Sequence, residues 1–137
     1  KEKLVLPMLM NSNGVKQQIL DKNYKKHLIV FWASWCGPCR KEIPFLKDFY
    51  NKKNSELEFI SISIDDNKND WAKVLNLERM PWKQLVVSNE QEKEAMQLQF
   101  KLNSAIPYSV LVDSNFKIIS ASTGLSNKEE LEKLINN

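Results

Sequence analysis

The chain alternates apolar runs of strand length with amphipathic stretches of helix length. The clearest run is "HLIVFWA", residues 27–33. It is continuously apolar, the pattern of a strand buried on both faces. From about Pro38 to Lys53 the period changes, and Ile43, Leu46 and Tyr50 recur on one side of a helix. "EFISISI", residues 58–64, returns to a period of two: Ile60, Ile62 and Ile64 face one way, Ser61 and Ser63 the other. A helix with Trp71, Val74 and Leu75 comes next, then a short strand "KQLVV" at 83–87. Glu90 to Leu102 reads as a helix, with Met96 and Phe100 four apart. "YSVLV" at 108–112 and "KIISA" at 117–121 are separated only by Asp113 to Phe116, which predicts an antiparallel hairpin. Ser126, Asn127, Lys128 and Glu129 form a capping box opening a last helix with Leu131, Leu134 and Ile135. Asn13-Gly14 predicts a hairpin turn near the N-terminus. Strands and helices in this order predict an α/β architecture, a central mixed sheet with helices on both faces.

The 137 residues suit one domain with a single sizeable core. Twenty Lys and Arg against seventeen Asp and Glu leave +3, and the lysines are scattered. Without a basic stripe, nucleic acid is not an expected partner. The longest apolar run, Leu28 to Ala33, is far below the roughly 20 residues that a bilayer needs. The chain starts at Lys1 and reads as a mature form or an excised domain, so membrane association would come only through an anchor outside it.

The chain has two cysteines, Cys36 and Cys39, between the strand at 27–33 and the helix that follows. That strand delivers Cys36 to the C-terminal edge of the sheet, where open α/β sheets hold their sites. At a helix start, free backbone N–H groups and the positive end of the dipole favour a thiolate. Such positions lower a cysteine pKa from about 8.5 to roughly 3.5–7.5. The reading is therefore an exposed, partly ionised Cys36, with Cys39 one turn along as its buried partner. Pro38 in the first turn gives up an N–H that had no helical partner. A purely structural disulfide closing so short a loop gains little. Zinc needs about four ligands, and two cysteines with one histidine fall short, so no metal is expected. His27 reads as a surface residue at the strand start. It lies roughly 20 Å from Cys36, which excludes a hydrolytic Cys–His pair.

"WCGPC" at 35–39 is identical to the thioredoxin active-site motif, and "FWASWCGPCRKEIPFL" at 31–46 resembles the TlpA/ResA-like branch of bacterial cell-envelope proteins. A second landmark is Ile106-Pro107 before "YSVLVD". The resemblance implies a thioredoxin-like fold over residues 1–137, with a cis-proline at 107 facing the cysteines. It also implies an extra strand-and-helix segment, Trp71 to Phe100, before that proline. The cytosolic members' buried aspartate is replaced here by Val30. In the envelope branch an acidic residue at the end of the next strand serves as proton acceptor; Asp65 and Asp66 stand there, and Asp66 aligns better. The competing reading makes both exposed caps of the following helix. Pro44 resembles the family's helix proline and predicts a kink. Arg40 and Lys41 read as solvated side chains. Met80-Pro81-Trp82 could serve as groove or as core, and core packing is the commoner role of such a Trp.

Together these imply a thiol–disulfide oxidoreductase. Cys36 attacks a protein disulfide, Cys39 resolves the intermediate, and an upstream thiol donor restores the dithiol without a cofactor. Gly37 and Pro38 tune the redox poise. Trp35, Ile106 and Pro107 form the rim that holds the partner's backbone. The resemblance points to reduction of substrates outside the cytoplasm, periplasmic or envelope-associated. Two rivals stand beside this reading. A peroxiredoxin-related thiol peroxidase wants Thr or Ser three residues before its cysteine, where Ala33 stands. A redox-gated binding module of a larger envelope protein would dock partners without exchanging disulfides with them.

Overall fold

Seven strands form one sheet in the order β2-β1-β5-β4-β3-β6-β7, in a computed structural model that describes residues 2–124 and 128–136. The elements run β1 (Leu9–Asn11), β2 (Lys16–Gln17), β3 (Lys26–Trp32), α1 (Gly37–Lys52), β4 (Leu57–Ser63), α2 (Lys68–Glu78), β5 (Lys83–Val86), α3 (Glu90–Phe100), β6 (Tyr108–Asp113), β7 (Ile118–Thr123) and α4 (Lys128–Ile135). β3, β4 and β5 are parallel, whereas β1, β2, β6 and β7 pair antiparallel, so the sheet is mixed. The Asn13-Gly14 turn closes β1 onto β2 with Gly14 at φ +80°, a conformation glycine adopts without a Cβ penalty. The expected capping box before α4 begins at Ser126, outside the described residues.

The apolar run of β3 is buried on both faces because a core lies on each side. Leu28, Val30 and Trp32 pack with Ile43, Leu46 and Phe49 of α1, Trp71 and Val74 of α2, and Leu131 of α4. Ile29 and Phe31 point the other way, into a cluster with Met96 and Phe100 of α3 and Leu4, Ile19 and Leu20 of the N-terminal segment. Each fully buried side chain of this kind stabilises the fold by about 1.5–3 kcal/mol.

Several boundaries move for local reasons. α3 ends at Phe100 rather than Leu102, because Lys101 turns left-handed at φ 56°. α1 stays helical through Pro44. The serines of β4 are buried, so this strand is covered on both faces; Ser61 Oγ accepts from Trp82 Nε1 at 2.8 Å. Trp82 is core, stacked on Phe59 at 4.5 Å between ring centroids. Arg40 is not simply solvated, since its guanidinium pairs with Glu78 of α2 at 3.0 Å.

His27 is a correction. It is fully buried, not a surface residue. In the parallel register it stands beside Glu58, and its Nδ1 lies 2.7 Å from Glu58 Oε1. Glu58 also meets Lys83 at 2.7 Å and accepts from the Asp21 N–H at 2.9 Å. Phe116, from the β6–β7 turn, covers the imidazole edge-on at 5.5 Å. A histidine starting a strand is buried here because distant loops fold over that end of the sheet.

Two predictions follow from this packing. Phe100 is fully buried against Phe31, so Phe100→Ala should cost about 3–5 kcal/mol in urea unfolding. Tyr108 donates to the Phe100 carbonyl at 2.8 Å, and burial raises its pKa above the ordinary 10.0. A raised acid stays neutral longer in the folded state, so its contribution is intact below about pH 10 and is lost as pH rises beyond that. Tyr108→Phe should flatten that alkaline decline in a stability-versus-pH series.

Candidate active site

β3, β4 and β5 all end on the same edge, at Trp32, Ser63 and Val86. β6 runs the opposite way, and Phe31 lies opposite Tyr108, so β6 begins at that edge too. The turn after β3 and the residues before β6 therefore meet there.

Cys36 is the N-cap of α1, with extended backbone at φ −89° and ψ 104°. Its sulfur accepts from the Cys39 N–H at 3.2 Å. The first-turn N–H that a Ser or Asp oxygen would normally satisfy is thus spent on sulfur. Cys36 and Cys39 form a disulfide with Cα atoms 5.2 Å apart. Gly37 and Pro38 are exposed in the turn between them, and no atom lies within 4 Å of where a Cβ on Gly37 would stand.

The expected exposure of Cys36 is not met in this state. The residue is only 5% exposed, and Cys39 3%. Bonding to Cys39 on one side and the Ile106 carbonyl oxygen 3.9 Å away on the other leave its sulfur little open surface. Trp35, at 67% exposed, is the open neighbour.

The Ile106-Pro107 bond is cis, and Pro107 is buried with its carbonyl held by the Gly124 N–H at 2.8 Å. Ile106 is half-buried. Among the described residues its N–H takes part in no hydrogen bond, and its carbonyl meets only Cys36.

The two aspartates after β4 have opposite settings. Asp66, the sequence candidate for proton acceptor, is exposed and lines a recess of about 530 Å³ beside Trp35. Asp65 is buried, its carboxylate accepting from the Ser34 N–H at 2.9 Å, Ser34 Oγ at 2.5 Å and Ser63 Oγ at 2.5 Å. Of the competing reading, the exposure holds for Asp66 but not for Asp65, and the cap of α2 is Asn67, accepting from Asn69 and Asp70.

Glu42 escaped sequence reasoning. It is buried on α1, three residues beyond Cys39, and lines a second recess with Pro38, Phe45 and Pro107. The signal was the i, i+3 spacing, which puts Cβ atoms about 5–6 Å apart on one helix face. Ser34 had no such signal, because its partner Asp65 lies in a distant segment, past the end of β4. No group of three or more His, Cys, Asp or Glu among the described residues could hold a metal ion.

A dithiol–disulfide pair at a helix N-terminus can pass two electrons to a disulfide or, when oxidised, accept two from a dithiol. The comparisons with known proteins agree. A family model described as thioredoxin-like matches residues 23–118. The chain belongs to the thioredoxin-like family. It is 29% identical over 123 residues to the thiol-disulfide oxidoreductase ResA of Bacillus thuringiensis subsp. konkukian, covering 89% of this chain and 68% of that one. Its fold matches StoA of Bacillus subtilis with a TM-score of 0.76 at 19% identity, over 95% of this chain and 96% of the other. The thioredoxin domain of a thiol-disulfide oxidoreductase from Bacteroides vulgatus superposes with a TM-score of 0.79 at 23% identity, covering 98% and 96%. The TlpA/ResA-like resemblance of residues 31–46 thus extends along the chain. This member is a thiol–disulfide oxidoreductase with Cys36 and Cys39 as its Cys-X-X-Cys pair. No helix among the described residues is long and apolar enough to cross a membrane.

Proposed function

We propose that the protein reduces disulfides in other proteins outside the cytoplasm, with Cys36 as nucleophile and Cys39 as resolving thiol. The observation that carries this is the pair's position: Cys36 caps α1 and faces the Ile106 carbonyl. In the reduced protein the Cys36 thiolate inherits the N–H now donated by Cys39 and the positive end of the α1 dipole.

The thiolate attacks one sulfur of the substrate disulfide and expels the other as a thiolate. Cys39, deprotonated, then attacks Cys36, releasing the second substrate sulfur and closing the Cys36–Cys39 disulfide. Two electrons have passed to the substrate, and an upstream thiol donor returns them. Trp35, Ile106 and Pro107 hold the substrate backbone in an extended form, Ile106 offering its N–H, unpaired among the described residues, and its carbonyl as an edge strand would. Gly37 and Pro38 set the poise and leave the approach open. The proton on Cys39 goes to Glu42, the buried carboxylate one turn away on the same helix, rather than to exposed Asp66. The extracytoplasmic setting rests on the resemblance to the envelope branch.

A trapping experiment tests this reading. Reduced Cys39→Ser protein mixed with a disulfide-bonded substrate should accumulate a mixed disulfide on non-reducing gels, and Cys36→Ser protein should form none. A mixed disulfide on Cys39 instead of Cys36 would overturn the assignment. The reduction potential tests the direction: a value near about −270 mV marks a reductant, one near about −120 mV an oxidant. Glu42→Gln should slow resolution of the mixed disulfide by about tenfold or more near neutral pH, with rescue at alkaline pH, in single-turnover quench experiments.

A further inference from the structure

We propose that Asp65 is a positioning residue that sets the reactivity of Cys36 through Ser34. This rests on Cys36 being the nucleophile, as argued above.

The turn from β3 to α1 has few anchors. The Trp32 carbonyl accepts from the Ile64 N–H at 2.9 Å, continuing the parallel ladder for one residue past β4. The Ala33 carbonyl accepts from the Cys36 N–H at 3.1 Å, and the Cys36 carbonyl from the Arg40 N–H at 3.1 Å. Between these, Trp35 stands out in solvent. Among the described residues it is Ser34 that ties the middle of the turn to the segment after β4, and both of its donors, N–H and Oγ–H, end on the two oxygens of one carboxylate.

That carboxylate is itself held rigid. Ser63 Oγ accepts from the Asp65 N–H at 2.9 Å and donates to Asp65 Oδ2 at 2.5 Å. Ser63, Asp65 and Ser34 are all at least nine-tenths buried. The end of β4 therefore grips the residue two before Cys36 at two points, and a two-point grip fixes direction as well as distance. A sulfur gains from a helix N-terminus only while it lies over the first-turn N–H groups, because the effect fades within about one turn. Holding Ser34 keeps the Cys36 sulfur there once the disulfide is opened and no longer ties it to Cys39.

The charge of Asp65 would act with the opposite sign. A carboxylate near a thiolate raises the thiol pKa by repulsion, so removing it would make Cys36 more acidic. Positioning and bare repulsion thus predict opposite shifts. Other ionisable groups on the elements around the dithiol, Arg40 with its partner Glu78, Lys41 and Glu42 on α1, Asp66 and Lys68 beside the Trp35 recess and Glu130 on α4, are unchanged in the test variants.

The test measures alkylation of Cys36 by iodoacetamide against pH in the Cys39→Ser background, with thermal melting to verify folding. Asp65→Asn should raise the Cys36 pKa and slow its alkylation near pH 7 by about tenfold. Ser34→Ala, which keeps the N–H and loses only the hydroxyl, should produce a smaller change in the same direction. Ser34→Thr, which keeps both donors, should restore the parent profile. An unchanged or lowered pKa in folded Asp65→Asn or Ser34→Ala protein would overturn the proposal. If the parent Cys36 titrates like a free cysteine, the nucleophile assignment itself falls, a result separate from failure of the clamp.

Discussion

The register of β3 against β6 is the constraint on which the site depends. Phe31 lies opposite Tyr108, so the chain entering β6 passes directly beside the chain leaving β3. Slipping that pairing by one residue would turn each side chain of β6 to the other face. Val110 and Val112 would leave the α3-side core, and Leu111 the α1-side core. The fit of β6 side chains into the two cores therefore holds the Ile106-Pro107 segment against Cys36. The site is held in place by core packing that takes no part in its chemistry.

Charge is buried at both ends of the central strands, and in both places it is shared. At the catalytic edge, Asp65 receives three hydrogen bonds from Ser34 and Ser63. At the opposite edge, Glu58 is met by His27, Lys83 and the Asp21 backbone. An isolated buried carboxylate would cost several kcal/mol, so each arrangement is viable only as a set. The two sets differ in what they tether. Glu58 ties the N-terminal segment down to β4 and β5, while Asp65 ties down the turn that carries the nucleophile. Between them both faces of the sheet are covered by largely apolar cores, and α1 packs in one of them with its N-terminus at the edge that carries Cys36.

The exposure of Cys36 shows how state enters the reading of a site. A helix-capping thiol was expected to stand open, yet in the disulfide its sulfur is enclosed between Cys39 and the Ile106 carbonyl. Trp35 is the exposed neighbour instead, beside half-buried Ile106, whose N–H is unpaired among the described residues. The site thus joins residues of two chain segments far apart in sequence, brought together by the pairing of β3 with β6.

Much of this was legible in the residues themselves. The apolar run at 27–33, the two-residue period at 58–64 and the helical rows of α1 and α3 fix element type, because burial on one face or two imposes its own spacing. Cys36 and Cys39 were readable from local chemistry, a thiol pair before a helix, whereas the cis bond at Pro107 was implied by the family resemblance and not by spacing. What no spacing announces is which residues meet across the sheet. His27 became buried through Glu58 and Phe116, Asp65 rather than Asp66 turned inward to Ser34, and Glu42 came to share a recess with Pro107. Those outcomes depend on strand register and loop closure, which join groups tens of residues apart. Periodicity along a chain carries information about a single element's faces, and only the assembled sheet decides what each face meets.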